Sequence, residues 1–224
     1  MPKVSVITPS FNKAKYVVEA ITSVMKQSLE DFEYWIIENS TEKDAKRAVH
    51  ELVKGYQDRR LILVDEYFAP EQRQQAYPTA VILNKYFDCM RGEYVFYLSD
   101  DDLIAPNCLQ AMVEPLEAHP DWMVVYAGLE DIAADGHLIK RIDADRVIYA
   151  PYVVDCVLDG GQVMIRKSAF GQVEKPYYDE NPLEPVARHC DGTFLTKFST
   201  RWNFYPVNQL LITHRRTPLS AWTK

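Results

Sequence analysis

Residues 94–102 read Tyr94-Val95-Phe96-Tyr97-Leu98-Ser99-Asp100-Asp101-Asp102: five apolar or aromatic residues that run, through one serine, into three carboxylates. An apolar run this short predicts a strand buried on both faces, as a central parallel strand is. Three adjacent aspartates at its carboxyl end repel one another, so they require a cation, Arg or Lys partners, or abundant water. In open α/β sheets ligands bind beyond the carboxyl ends of the strands, so both place and charge mark this junction. One or two carboxylates, completed by water and substrate phosphates, commonly hold Mg²⁺ or Mn²⁺. The competing reading is a solvated loop in which Asp102 caps the next helix.

Upstream, Lys3 to Thr8 predicts a buried strand ending at Pro9. The turn Pro9-Ser10-Phe11-Asn12 then leads into a helix on which Tyr16, Val17, Ala20, Ile21, Val24 and Met25 recur at helical spacing. Phe32 to Ile37 predicts a second strand; Asn39-Ser40-Thr41 breaks it and supplies a helix cap, with Asp44 three residues after Thr41. An amphipathic helix follows to Tyr56, and Leu61 to Val64 predicts a third strand. Asp65 to Pro78 has no clean period and reads as a loop. Ala80 to Met90 reads as a helix, punctuated by Arg91-Gly92-Glu93. Downstream of the aspartates, Pro106 opens a helix to Ala118, and Trp122 to Tyr126 reads as a strand. This alternation predicts an α/β fold: one domain, with a mostly parallel central sheet flanked by helices. It weakens after residue 130, where short strands are expected at Gln162 to Arg166 and Gln209 to Thr213.

The chain has 224 residues, 47% of them hydrophobic, which is a globular composition. Twenty-five basic against 32 acidic residues give a net charge of −7, which argues against a nucleic-acid partner. Cys89, Cys108, Cys156 and Cys190 form no Cys-x-x-Cys pair and no zinc spacing, and are expected to be isolated buried thiols in a reduced compartment. Apolar runs such as Trp122 to Leu129 fall short of the roughly 18 residues of a membrane span. No signal peptide and no transmembrane segment are expected, so the expected location is cytoplasmic, with peripheral attachment at the inner membrane face left open. Neither GxGxxG nor GxxxxGK[ST] occurs, which excludes the phosphate loops of dinucleotide dehydrogenases and P-loop NTPases.

Three stretches in order, Val4 to Tyr16 (VSVITPSFNKAKY), Ile36 to Thr41 (IIENST) and Gly92 to Leu103 (GEYVFYLSDDDL), resemble the inverting family 2 glycosyltransferases of GT-A fold. The resemblance is strongest over the first 126 residues and extends weakly through Asp159 to Lys167 and Tyr177 to Phe194. It implies a GT-A domain in which residues 1–126 bind the nucleotide-sugar and residues 127–224 bind the acceptor. The implied activity is metal-dependent inverting transfer, with Mn²⁺ or Mg²⁺. The donor would be a nucleoside-diphosphate sugar of the UDP, dTDP or GDP type, and the acceptor a hydroxyl of a glycan or lipid-linked molecule. A non-catalytic descendant that only binds nucleotide-sugar is the alternative.

By that resemblance Pro9 and Phe11 line the base pocket, and Lys13 and Arg73 lie near base or phosphates. Glu38 stands where the family usually has an aspartate that hydrogen-bonds the base. Asp100 contacts ribose or donor sugar, Asp101 coordinates the metal, and Asp102 is a lesser metal candidate. His214, with Arg215 and Arg216, either closes over the diphosphate and the metal or belongs to a surface tail. The reaction also needs a carboxylate to take the acceptor's proton. Asp191 in His189-Cys190-Asp191-Gly192-Thr193-Phe194 is the candidate, a helix N-cap being its other reading; Glu184 and Asp179 stand in reserve. Asp159-Gly160-Gly161 is either an acceptor-site wall or an ordinary turn. Tyr67, Phe68, Tyr77, Tyr177 and Tyr178 are candidates for an acceptor cleft, whereas Tyr94 and Phe96 read as core. His50, His119 and His137 read as solvated or packing residues.

Overall fold

Every one of the seven residues of β1 (Val4–Ser10) is buried, because this strand has a neighbour on each side and a helical layer on each face. A computed structural model of the chain describes residues 1–152, 157–181 and 190–217. β1 pairs in parallel with β2 (Phe32–Glu38) and with β4 (Tyr94–Tyr97), and β3 (Leu61–Asp65) extends the parallel set beyond β2. Across β4 the sense changes. β8 (Val163–Arg166) is antiparallel to β4 and to β6 (Val124–Ala133). β6 runs parallel to β9 (Phe204–Arg216), and β5 (Leu103–Ile104) pairs antiparallel with β9. β7 (Leu138–Ile142) folds back on β6 as a hairpin arm.

Successive strand residues point to opposite faces. Val4 and Val6 therefore pack with α1 (Ala14–Met25), α2 (Lys43–Tyr56) and α5 (Cys108–Ala118). Ile7, Ile37, Val95 and Ile165 pack on the other side with α4 (Pro78–Tyr86), α6 (Lys167–Phe170) and α7 (Cys190–Ser199). Tyr94 and Phe96 are core, as expected. Tyr177 and Tyr178 are core too, and not cleft residues: both are buried against Phe87, and Tyr178 stacks on Phe194 at 4.3 Å.

Several local expectations are corrected. β1 continues through Pro9 to Ser10, because Pro9 keeps its parallel register with Ile37. Thr41 does not cap α2: the helix begins at Lys43, and Thr41 is bonded to Asn12 instead. The stretch 65–78 contains a helix, α3 (Pro70–Gln75), opened by Pro70 and tied by the Gln72 side chain, which accepts from the Ala69 N–H at 2.8 Å. α4 stops at Tyr86, short of Met90, and β6 and β9 are both longer than their apolar cores suggest. Cys108 is buried, but Cys89 is exposed; Cys156 lies outside the described residues.

The turn into β4 is built around a buried charge. Glu33 lies on β2, 3% exposed, and accepts from the Ser5 hydroxyl, the Arg91 backbone N–H and the Arg91 guanidinium. Burial alone would raise its pKa, yet those donors hold it below the usual carboxylate range. Gly92 donates to Ser5 Oγ, and a Cβ at Gly92 would lie 2.3 Å from the Ser5 nitrogen. Gly92→Ala is therefore expected to lower the unfolding free energy by about 1–3 kcal/mol, as overpacking does. Urea denaturation checks this; a loss under about 0.5 kcal/mol, the scale of an ordinary surface change, would contradict it.

Candidate active site

The aspartate triplet follows β4 directly, at the carboxyl edge of the parallel strands, and it is buried: Asp100 and Asp101 are 5% exposed and Asp102 is 0%. This excludes the solvated-loop reading. Asp102 does not cap α5, whose N-cap position is Asn107. The triplet is instead met by groups from other loops. Lys13, at the start of α1, places its Nζ 2.9 Å from Asp100 Oδ1 and 2.9 Å from Asp101 Oδ2. The Phe11 N–H donates to Asp100 Oδ2 at 2.8 Å. The Arg215 N–H, near the end of β9, donates to Asp102 Oδ1 at 2.9 Å, and the Thr217 hydroxyl donates to Asp101 Oδ2 at 3.2 Å. Asp102 Oδ2 is buried with no hydrogen-bond partner among the described residues.

These surroundings move the protons. Burial, with the Asp101 charge, pushes Asp100 up to about 6 against the pull of Lys13 and the Phe11 N–H. Asp102 is pushed well above the usual carboxylate range by burial and by the charges of Asp101 and Asp159. Burial pulls the Lys13 ammonium down, but Asp100 and Asp101 outweigh it and hold Lys13 above an ordinary lysine.

On the β2 side, Glu38 is fully buried and both its oxygens are engaged: Oε2 accepts from the Ser10 hydroxyl at 2.9 Å and Oε1 from the Ser40 N–H at 2.6 Å. Asn39 comes next. Its Nδ2 donates to the Ser10 carbonyl, while its own carbonyl and Oδ1 accept from the Arg73 guanidinium of α3. Arg73 lies over the Phe11 ring at 4.4 Å and 5.5 Å from that of Phe68. Phe11 is 39% exposed, an open aromatic face beside a guanidinium. Asn12 holds the two loops together from a left-handed conformation, φ 53°, which asparagine tolerates well. Its N–H donates to Ser40 Oγ, and its Oδ1 accepts from the Thr41 and Glu42 N–H groups.

The other wall is the turn Gly160–Gln162 before β8. Asp159 caps it, accepting from the Gly161 N–H at 2.8 Å, and Asp191 in the first turn of α7 accepts from the Gly160 N–H at 3.1 Å. A Cβ at Gly160 would lie 3.1 Å from both the Asp191 carboxylate and the Tyr97 ring, and one at Gly161 3.9 Å from Asp102 Oδ2. The two glycines thus sit where Asp191, Tyr97, Asp159 and Asp102 converge. Asp191 faces this turn from the first turn of α7.

The structure brings together Phe11, Lys13, Arg73, Asp100, Asp101, Asp102 and Asp191 around one edge of the sheet, with Pro9 and Glu38 in the strands behind. It does not bring His214 to the triplet: its Nδ1 lies 3.2 Å from Asp131 Oδ1, and Arg216 pairs with the same carboxylate. The reserve Asp179 accepts from the Asn181 N–H, and Glu184 lies outside the described residues. Tyr67 is exposed, and among the described residues His50, His119 and His137 contact Asp65, Trp122 and Asp135. Two contributors were not foreseen: Tyr97 was hidden in an apolar strand, and Thr217 had no signal.

A divalent cation fits this corner. The donor set is hard oxygen, Asp102 offers a buried oxygen without a hydrogen-bond partner among the described residues, and Asp101 lies beside it. No group of three or more His, Cys, Asp or Glu ligands occurs among the described residues, so phosphate and water oxygens would complete the shell.

Asp100 also sets a pH dependence. It titrates at about 6 when folded, against about 3.9 unfolded. A raised carboxyl pKa means that the folded state binds the proton more tightly, so this contribution is fully present below about pH 4 and is lost as pH rises through about 6. Between about pH 4 and pH 7 the stability difference should move in favour of Asp100→Asn by on the order of 2 kcal/mol. Urea titrations at both pH values check this, and a difference that does not change with pH would refute it.

Comparison with known proteins places this geometry. Residues 5–173 match the family Glycosyl transferase family 2. Protein CgeD of Bacillus subtilis (strain 168) is 27% identical over 224 residues, which cover 96% of this chain and 50% of CgeD. A GalNAc(5)-diNAcBac-PP-undecaprenol beta-1,3-glucosyltransferase of Campylobacter jejuni is 32% identical over 114 residues, 51% of this chain and 34% of that protein. The chain thus spans half or less of the length of these two relatives. Among solved structures, S. aureus TarS 1-349 in complex with UDP-GlcNAc superposes with a TM-score of 0.65 at 16% identity, covering 98% of this chain and 60% of that one. Mannosyltransferase PcManGT from Pyrobaculum calidifontis, in complex with GDP-Man and Mn²⁺, superposes with a TM-score of 0.67 at 14% identity, covering 98% and 59%. At such identities the likeness is one of fold, and the fold is GT-A. With its match extending over more than half of its length, the chain belongs to glycosyl transferase family 2.

Proposed function

We propose that this chain is a metal-dependent inverting glycosyltransferase. It moves a sugar from a nucleoside diphosphate of the UDP, dTDP or GDP type to a hydroxyl of a glycan or lipid-linked acceptor. The observation that carries the reading is the convergence of Lys13, Asp100, Asp101 and Asp102 with Asp191 across the Gly160-Gly161 turn. Residues 1–126 would supply the nucleotide side and residues 127–224 the acceptor side.

Phe11 and Arg73 offer an aromatic face and a cation for the base, over the β1 and β2 ends where Pro9 and Glu38 lie. Glu38 is tied to Ser10 and Ser40, so in this reading it shapes the pocket floor. Lys13 and Asp100 lie toward the ribose and diphosphate. Asp101, with Asp102, would hold Mn²⁺ or Mg²⁺, which when bound offsets the charge that builds on the departing diphosphate. Asp191, oriented by the Gly160 N–H, takes the proton from the acceptor hydroxyl as its oxygen attacks the anomeric carbon opposite the leaving group. Tyr97 stays protonated beside it, since burial and the Asp191 charge raise its pKa well above an ordinary tyrosine. His214 is held by Asp131 and has no role in these steps. No described helix is long and apolar enough to cross a membrane; a lipid-linked acceptor would be met at the membrane surface.

A thermal-shift panel of UDP, dTDP and GDP with and without Mn²⁺ reads nucleotide and metal use together, since a ligand that binds only the folded state stabilises it. Asp191→Asn should lower kcat by about 10²–10⁴-fold and leave nucleotide affinity unchanged. Gly160→Ala, which crowds that carboxylate, should lower kcat in the same direction. Nucleotide binding by the wild type without transfer or donor hydrolysis would favour the non-catalytic alternative, and unaltered turnover in Asp191→Asn would remove its assigned role.

A further inference from the structure

Three carboxylates meet at one corner, and among the described residues the Lys13 ammonium lies between two of them. Lys13 Nζ is 2.9 Å from both Asp100 Oδ1 and Asp101 Oδ2, and the side chains are only 14%, 7% and 6% exposed. Equal distances place the ammonium between the two carboxylates, directly beside Asp101, to which the functional reading assigns the divalent ion. A lysine suits such a seat, being a compact charge on a flexible stem that can be redirected, unlike the fixed fork of an arginine. Lys13 has no competing duty in its helix: it occupies the N-cap position of α1, and its side chain makes no cap hydrogen bond. The buried Asp102 Oδ2, with no hydrogen-bond partner among the described residues, lies in the same triplet.

Resting on the functional reading above, we propose that Lys13 is a resident counter-cation: it fills the gap between Asp100 and Asp101 in the nucleotide-free protein and is drawn off by the donor's diphosphate. Two cations a few ångströms apart repel, so Lys13 in the gap weakens the binding of a divalent ion to the protein alone. A diphosphate offers anionic oxygens to Lys13 and to the divalent ion together, which leaves Asp101, with Asp102, to the latter. Nucleotide and divalent ion then enter as a coupled pair, each tightening the other by the same factor. Asp100 and Asp101, meanwhile, keep a cation beside them between turnovers.

The test titrates the full chain with Mn²⁺ alone, followed by electron paramagnetic resonance, and repeats this with saturating UDP or GDP. Lys13→Met keeps the stem and removes the charge, and should bind Mn²⁺ alone about tenfold or more tightly than wild type, with less further gain from nucleotide. Lys13→Arg keeps the charge and should stay within about threefold of wild type. Should Lys13→Met be unfolded in metal-free buffer, recovery of the wild-type circular dichroism spectrum on adding Mn²⁺ supports the same role, and no recovery overturns it. Equal or weaker Mn²⁺ affinity in Lys13→Met, with nucleotide binding intact in the wild type, overturns the role of Lys13 alone. Absence of UDP, dTDP and GDP binding to the wild type with Mn²⁺ overturns the functional reading and this proposal with it.

Discussion

The rest of the molecule is arranged around a cluster of like charges taken out of water. Asp100, Asp101 and Asp102 are buried where the central strand ends, a placement that is unfavourable until donors and cations reach it. Those donors come from distant parts of the chain: Phe11 and Lys13 after β1, Arg215 in β9, and Thr217 just beyond it. The fold can be read as the means of delivering them. The parallel set β3-β2-β1-β4 aligns its carboxyl ends, and β6 and β9 carry the last donors back to the same edge.

A second network fixes the loops after β1 and β2 with respect to one another. Asn12 bonds to Ser40, Thr41 and Glu42, Glu38 to Ser10 and Ser40, and Asn39 to Ser10 and Arg73. The β1–α1 and β2–α2 loops are thereby joined through buried and half-buried polar groups, whose loss would leave unpaired donors and acceptors. Arg73, bonded to Asn39 and lying over Phe11, brings α3 into the same unit.

The first half of the fold was legible in the sequence because its signals are local. The apolar run at Tyr94–Tyr97, the helical spacing through Val24 and the alternation up to Tyr126 each decide their own element. The candidate site was legible for a related reason: strand ends in a parallel sheet are also site positions. The failures have specific causes. α3 carries no buried residue, so hydrophobic periodicity does not see it, and its Pro70 start was absorbed into a loop. β7 is nearly all exposed and depends on its partner β6. Thr41 has the chemistry of a cap, but a tertiary partner, Asn12, takes it. His214 next to two arginines left anion closure and a surface tail both open; what the sequence does not display is Asp131, 83 residues from His214, which bonds both His214 and Arg216.

The contacts of Arg215 and Thr217 with the acidic triplet have a consequence for biosynthesis. These bonds join residues 113 and 116 positions apart. A nascent polypeptide can lay down β1 to β4 early, yet its aspartates must wait until strand β9 has left the ribosome before the last of their partners arrives. Over that interval the acidic corner is present in sequence but not assembled, and a chain halted before β9 would carry its acidic residues without the strand that completes their shelter.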